Sequence, residues 1–120
     1  MELNEYQKRA MSTCTGSCNN FSYMMLNLVG EVGELSSKIA KHIRKEEMTI
    51  LSNHLCDEIN ADYQGAHLEV IKLEAGDILW QLSGLCSVMG WSLEEVAQAN
   101  LEKLQKRKAN NTIIDDGDYR

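Results

Sequence analysis

Along most of the chain apolar residues return every three or four positions, the interval that stacks them on one face of an α-helix, and proline is absent. The pattern predicts an all-α fold of four principal helices. The first runs from about Leu3 to Ser12. Thr13 to Asn20, rich in Thr, Ser, Gly and Asn, reads as a loop, and Asn19 or Asn20 is placed to cap the second helix. That helix continues to about Lys45, with Met25, Leu28, Val32, Leu35, Ile39 and Ile43 as its stripe. Its end carries Lys41, His42, Arg44 and Lys45, where positive charge suits the helix dipole. The third spans about His67 to Met89 with Leu68, Ile71, Ile78, Leu82 and Leu85 inward, and Gly90 stands where a helix terminates. Ser92 and Glu95 then have capping-box spacing and open a fourth helix, which buries Leu93, Val96, Ala97, Leu101 and Leu104 and ends near Ala109.

Two stretches break the rhythm. From Glu46 to Ala66 the pattern weakens: Met48, Leu51, Leu55 and Ile59 are spaced for a short helix, and Asn60 to Gly65 for a turn. The tail from 110 to 120, NNTIIDDGDYR, is irregular and of the kind that a ligand or a partner subunit orders. No internal repeat is present, and 120 residues suit one core, so residues 1–120 are expected to form a single domain.

Composition sharpens this picture in three ways. Aromatic residues make up only 6% of the chain, a thin supply for a small core, which points to a homo-oligomer completing the burial. The formal net charge of −6 speaks against a binder of nucleic-acid polymers, whose affinity comes from clustered Lys and Arg. It leaves room for a phosphate ligand bridged by divalent cations. Cys14, Cys18, Cys56 and Cys86 form no CxxC pair and read as reduced, partly buried thiols. Their spacings with His42, His54 and His67 match no zinc template. The amino-terminal MELNEYQKRA has no apolar signal core and no run approaches a bilayer span, so no membrane association is expected and the cytoplasm is the expected location.

The candidate chemistry is carried by acids. On a helical wheel Glu31, Glu34 and Lys38 share a narrow face flanking Leu28, Val32, Leu35 and Ile39. On the third helix Glu74 and Asp77 flank Ile71, Ile78, Leu82 and Leu85 in the same way. Either pair alone is an ordinary solvated face; if the two apolar stripes pack together, four carboxylates converge. Their repulsion then calls for a cation, and Mg²⁺ is the ion that takes a few carboxylates and completes its shell with water and phosphate oxygens.

The segments LVGEVGELSSKIAKHIRK, EAGDILWQLSGLCSVMGWSLEEV and ANLEKLQKRKA resemble the MazG-like nucleoside triphosphate pyrophosphohydrolases, whose signature is an ExxE pair followed by an ExxD pair on adjacent helices. The likeness covers Phe21 to Arg107, and GDYR at Gly117 to Arg120 resembles the ending of some members. It implies a four-helix bundle of the MazG type, completed as a dimer or tetramer, that cleaves a (deoxy)nucleoside triphosphate between the α and β phosphates. It also implies Mg²⁺, which Mn²⁺ can replace, on Glu31, Glu34, Glu74 and Asp77. Glu34 is the candidate proton acceptor, and Lys38, Asn100, Lys103 and Arg107 are candidate contacts to phosphate or sugar. Of the aromatic residues, Trp80, beside the metal face, is the expected stacking partner and Trp91 the expected packing residue. The interval between Glu34 and Glu74 is longer than is usual in the family, the excess falling at 46–66. Two other readings stay open, a phosphoribosyl-ATP pyrophosphohydrolase and a non-catalytic helical dimer holding a structural cation.

Overall fold

The structure, a computed structural model, is described for residues 1–58 and 66–111. Its elements in chain order are α1 (Leu3–Met11), α2 (Phe21–Arg44), β1 (Met48–Leu51), β2 (His54–Asp57), α3 (Ala66–Val88) and α4 (Leu93–Ala109). The helix ends obey the capping chemistry of the sequence. The Asn20 side chain accepts the Tyr23 N–H at 2.8 Å and starts α2. Gly90 adopts φ +76 after α3, and Ser92 and Glu95 close a complete capping box on α4.

The long helices α2 and α3 form the main pair and run antiparallel, since their cross-links step in opposite directions: Met24 packs on Gly84, Asn27 bonds Gln81 at 3.3 Å, and Lys38 meets Glu74. Gly84 is needed for the close approach, because a Cβ there would collide with Sδ and Cε of the fully buried Met24. The short α1 is pinned across the other end by Gln7. Its amide donates to Ser87 Oγ (3.1 Å) and to the Trp91 carbonyl (3.0 Å) and accepts from the Leu93 N–H (2.8 Å). Asn4 likewise accepts from the Glu94 N–H at 3.1 Å, so α1 satisfies amide groups that α4 leaves open at its start.

Two expectations are corrected. The short helix expected from Met48 through Leu55 is instead an antiparallel hairpin in which Met48 faces Asp57 and Leu51 faces His54. Ser52 and Asn53, at φ 49 and 64, supply the two left-handed residues of a tight turn whose twist matches that of its strands. Ile59 and the turn expected over Asn60 to Gly65 lie outside the described residues, as does the tail from 112. Cys14 and Cys18, expected as thiols, form a disulfide with their Cα atoms 6.2 Å apart, because the tight loop after α1 turns one back on the other. Cys56 and Cys86 are free.

The apolar stripe of α2 also divides. Leu28, Leu35 and Ile39 are partly covered, whereas Met25, Val29, Val32 and Ile43 point outward together with Leu26, which is 73% exposed; Leu73 of α3 is 71% exposed.

Candidate metal centre

Helix α2 contributes Glu31 and Glu34, one turn apart, and α3 contributes Glu74 from the facing side. A carboxylate oxygen of each lies within 4.8 Å of the other two. Burial grades across the cluster: Glu74 is buried at 8% exposure, Glu31 half-buried and Glu34 exposed. Packing of Met24 on Gly84 and the Asn27–Gln81 bond set the separation of the two helices, which places the acids face to face.

Lys38 closes the group. Its ammonium bonds Glu74 and lies 3.6 Å from Glu34, one turn earlier on α2. The bond to Glu74, and the carboxylate charges beside it, hold Lys38 protonated above the usual lysine range, against the opposing effect of burial. In Glu31 it is the neutral, uncharged form that gains: burial first, then the charges of Asp77, Glu34 and Glu74, raise its carboxyl above the ordinary range, with Lys38 working against them. Asp77 is exposed and lies outside the trio of close oxygens, yet its charge reaches Glu31 and also Tyr6. Burial, and secondarily Asp77, push the Tyr6 phenol up, which brings α1 to the border of the centre. Nothing in the spacing of Tyr6 pointed to it; only the packing of α1 on α3 places it there.

Three converging carboxylates with a fourth beside them are a hard oxygen donor set, open on the Glu34 side, and they fit a divalent cation that keeps part of its shell for water and phosphate. Among the described residues this cluster includes no histidine or cysteine.

The remaining candidates fall elsewhere. Trp80 donates its indole N–H to the Ala10 carbonyl (3.1 Å) and to Thr13 Oγ1 (2.9 Å), so it fastens α3 to the end of α1. Trp91, expected to pack, instead lines a cavity of about 530 Å³ with Glu95, Val96, Ala99, Asn100 and Lys103. The size suits a small-molecule ligand. None of the four acids lines it, and Arg107 is buried further along α4. Among the described residues no helix is long and apolar enough to cross a membrane.

Residues 19–112 match the MazG nucleotide pyrophosphohydrolase domain. The chain is also 31% identical over 127 aligned positions to the Gene 37 protein of Mycobacterium phage L5, all of each chain being covered. No solved structure matches it significantly.

Proposed function

Since the chain belongs to the MazG nucleotide pyrophosphohydrolase family, we propose that it hydrolyses a nucleoside or deoxynucleoside triphosphate to the monophosphate and pyrophosphate, with Mg²⁺ held by Glu31, Glu34, Glu74 and Asp77. The observation that carries the reading is the convergence of acids from two facing helices around the Lys38 ammonium. When bound, Mg²⁺ supplies neutralisation of the triphosphate and acidification of the attacking water. Glu34, the exposed member of the cluster, takes the proton of that water as its oxygen bonds the α phosphorus. The bond from the α phosphorus to the bridging oxygen breaks, and the electron pair leaves with pyrophosphate. Lys38 turns from Glu74 toward the phosphate chain, giving up a bond between side chains for one to substrate. Asn100 and Lys103 are the α4 candidates for phosphate or sugar, with Trp91 as the aromatic plane beside them, on a cavity that none of the four acids lines.

The test is pyrophosphate release from standard and modified nucleoside triphosphates with Mg²⁺. Monophosphate plus pyrophosphate is expected, with Glu34→Gln and Asp77→Asn each lowering turnover by about 100-fold or more, since several kcal/mol of charge stabilisation are removed. Turnover of phosphoribosyl-ATP alone would reassign the substrate. Stabilisation by Mg²⁺ with no turnover of any of them would make the centre a structural one.

A further inference from the structure

Away from the carboxylate centre, the root of the hairpin gathers a second cluster of a different chemical kind. His42 sits in the last turn of α2, His67 in the first turn of α3, and Glu47 in the link between α2 and β1. The Glu47 carboxylate stands between the two imidazoles, with Oε1 3.4 Å from His42 Nδ1 and Oε2 3.1 Å from His67 Nε2. The other ring nitrogen of His67, Nδ1, lies 3.2 Å from Oδ1 of Asp57 at the end of β2. All four side chains are largely shielded, at 15%, 26%, 13% and 5% exposure for His42, Glu47, His67 and Asp57.

Backbone geometry fixes this arrangement. The chain leaves α2 through a Schellman-type reversal, in which the Glu46 N–H bonds the Ile43 carbonyl at 3.0 Å and the Glu47 N–H bonds the His42 carbonyl at 2.9 Å. Glu46 takes the left-handed position at φ 59 that glycine usually fills, and Glu47 is thereby turned back over His42. The Glu58 N–H bonds the Glu47 carbonyl at 3.1 Å and closes the hairpin on the same residue.

A ligand atom from each of His42, Glu47 and His67 lies within 4.8 Å of the other two, close enough to converge on one ion. Two ligands bound at about 2.0 Å to a tetrahedral ion lie about 3.3 Å apart, the scale of both histidine–glutamate separations. Asp57 stands where a carboxylate receives the second N–H of a metal-bound histidine, which fixes its tautomer and turns Nε2 toward the ion. With Nδ1–H donating to Asp57, the Nε2 lone pair of a neutral His67 is turned toward the Glu47 carboxylate, where a cation can lie between the two. The imidazole ring centroids lie 4.3 Å apart, which brings one nitrogen of each ring to the same carboxylate. Two imidazoles and a carboxylate suit Zn²⁺ and its transition-metal neighbours, whereas Mg²⁺ prefers oxygen ligands alone.

We propose that His42 Nδ1, His67 Nε2 and the Glu47 carboxylate form a transition-metal site of the Zn²⁺ class, separate from the carboxylate centre, with Asp57 orienting His67 and water in the remaining position. Such an ion ties the end of α2, the start of α3 and both ends of the hairpin to one point. The site rests on none of the residues assigned to hydrolysis and stands or falls independently of that reading.

The test uses the full chain with the Cys14–Cys18 disulfide intact and with free Cys56, the neighbour of Asp57, replaced by serine, so that its thiol does not compete for metal. Zn²⁺ is titrated against a chromophoric chelator, and Co²⁺ is followed by its visible absorption and by its effect on the histidine ring proton resonances. One equivalent of Zn²⁺ is expected. His42→Gln and His67→Gln are expected to weaken it by about 100-fold or more, and Asp57→Asn by about 10- to 100-fold. Asp77→Asn is expected to leave it unchanged. Co²⁺ should give the intense bands of a four-coordinate ion and displace the resonances of His42 and His67 while sparing those of exposed His54, a readout that needs no ligand variant to fold. Zinc binding of equal strength in both histidine variants, or Co²⁺ that perturbs all three histidines alike or none, would overturn the proposal and leave a proton-held network.

Discussion

At the scale of residues, the centre shows how one charge decides the state of another. Burial and three neighbouring carboxylates push Glu31 up, so in the folded chain its neutral form is favoured more than in the unfolded chain. Its contribution to the stability of the metal-free protein is therefore fully present below the ordinary glutamate range and is lost as pH rises through the raised value. On the proposed function, metal binding needs the carboxylate, so protection by Mg²⁺ should grow over the same window. Thermal melts with and without Mg²⁺ from about pH 4 to pH 7 should show the two curves separating as pH increases, and Glu31→Gln should flatten the metal-free slope and shrink the separation. The convergence of Glu31, Glu34 and Glu74 was legible because ExxE and ExxD spacing places them on faces beside apolar stripes, whereas Asp77, expected with them, lies outside the close trio. The role of Lys38 was only half legible: spacing gave its partner Glu34 on the same helix, but the bond to Glu74 depends on the register between α2 and α3, which no local pattern encodes. The histidines were illegible for the same reason, since His42, Glu47, Asp57 and His67 meet only after the chain has reversed twice.

At the scale of elements, what could be read was whatever carries its own punctuation. Asn20, Gly90, Ser92 and Glu95 marked helix ends within a residue or two, because caps are local hydrogen bonds between near neighbours. Ser92→Ala removes the hydroxyl that accepts the Glu95 N–H at 3.1 Å and should cost about 1 kcal/mol, measured as a lower midpoint in denaturant at unchanged slope. The loss should stay near that value, because Gln7 and Asn4 continue to hold the neighbouring amides. The hairpin was missed because its strands are four residues each, too short to establish an alternating period against a helical background. The available signal lay in the turn, where Ser52 and Asn53 come just after β-branched Thr49 and Ile50.

At the scale of the whole molecule, the outer face of α2 is unfinished. Met25, Val29, Val32, Ser36, half-buried Ile39 and Ile43 succeed one another at alternating intervals of four and three, the spacing of a helix–helix seam, and Val29 on that line is 64% exposed. The Cα radius of gyration, 17.9 Å, exceeds the roughly 14 Å of a compact chain of this length, so the helices leave more surface uncovered than a compact chain would. Sedimentation equilibrium should find an oligomer, and Val29→Glu should shift it toward monomer by burying an unpaired charge at the seam. A native chain that sediments as a monomer at all concentrations would remove this reading.

The ammonium of Lys38 gives the centre an occupant of its own. On the proposed function, folding need not await the ion, because the acids already meet a positive charge, and loading would be an exchange of cations at a finished mould. A chelator should accordingly stop turnover while the helical circular dichroism persists, and restored Mg²⁺ should revive activity without a refolding lag.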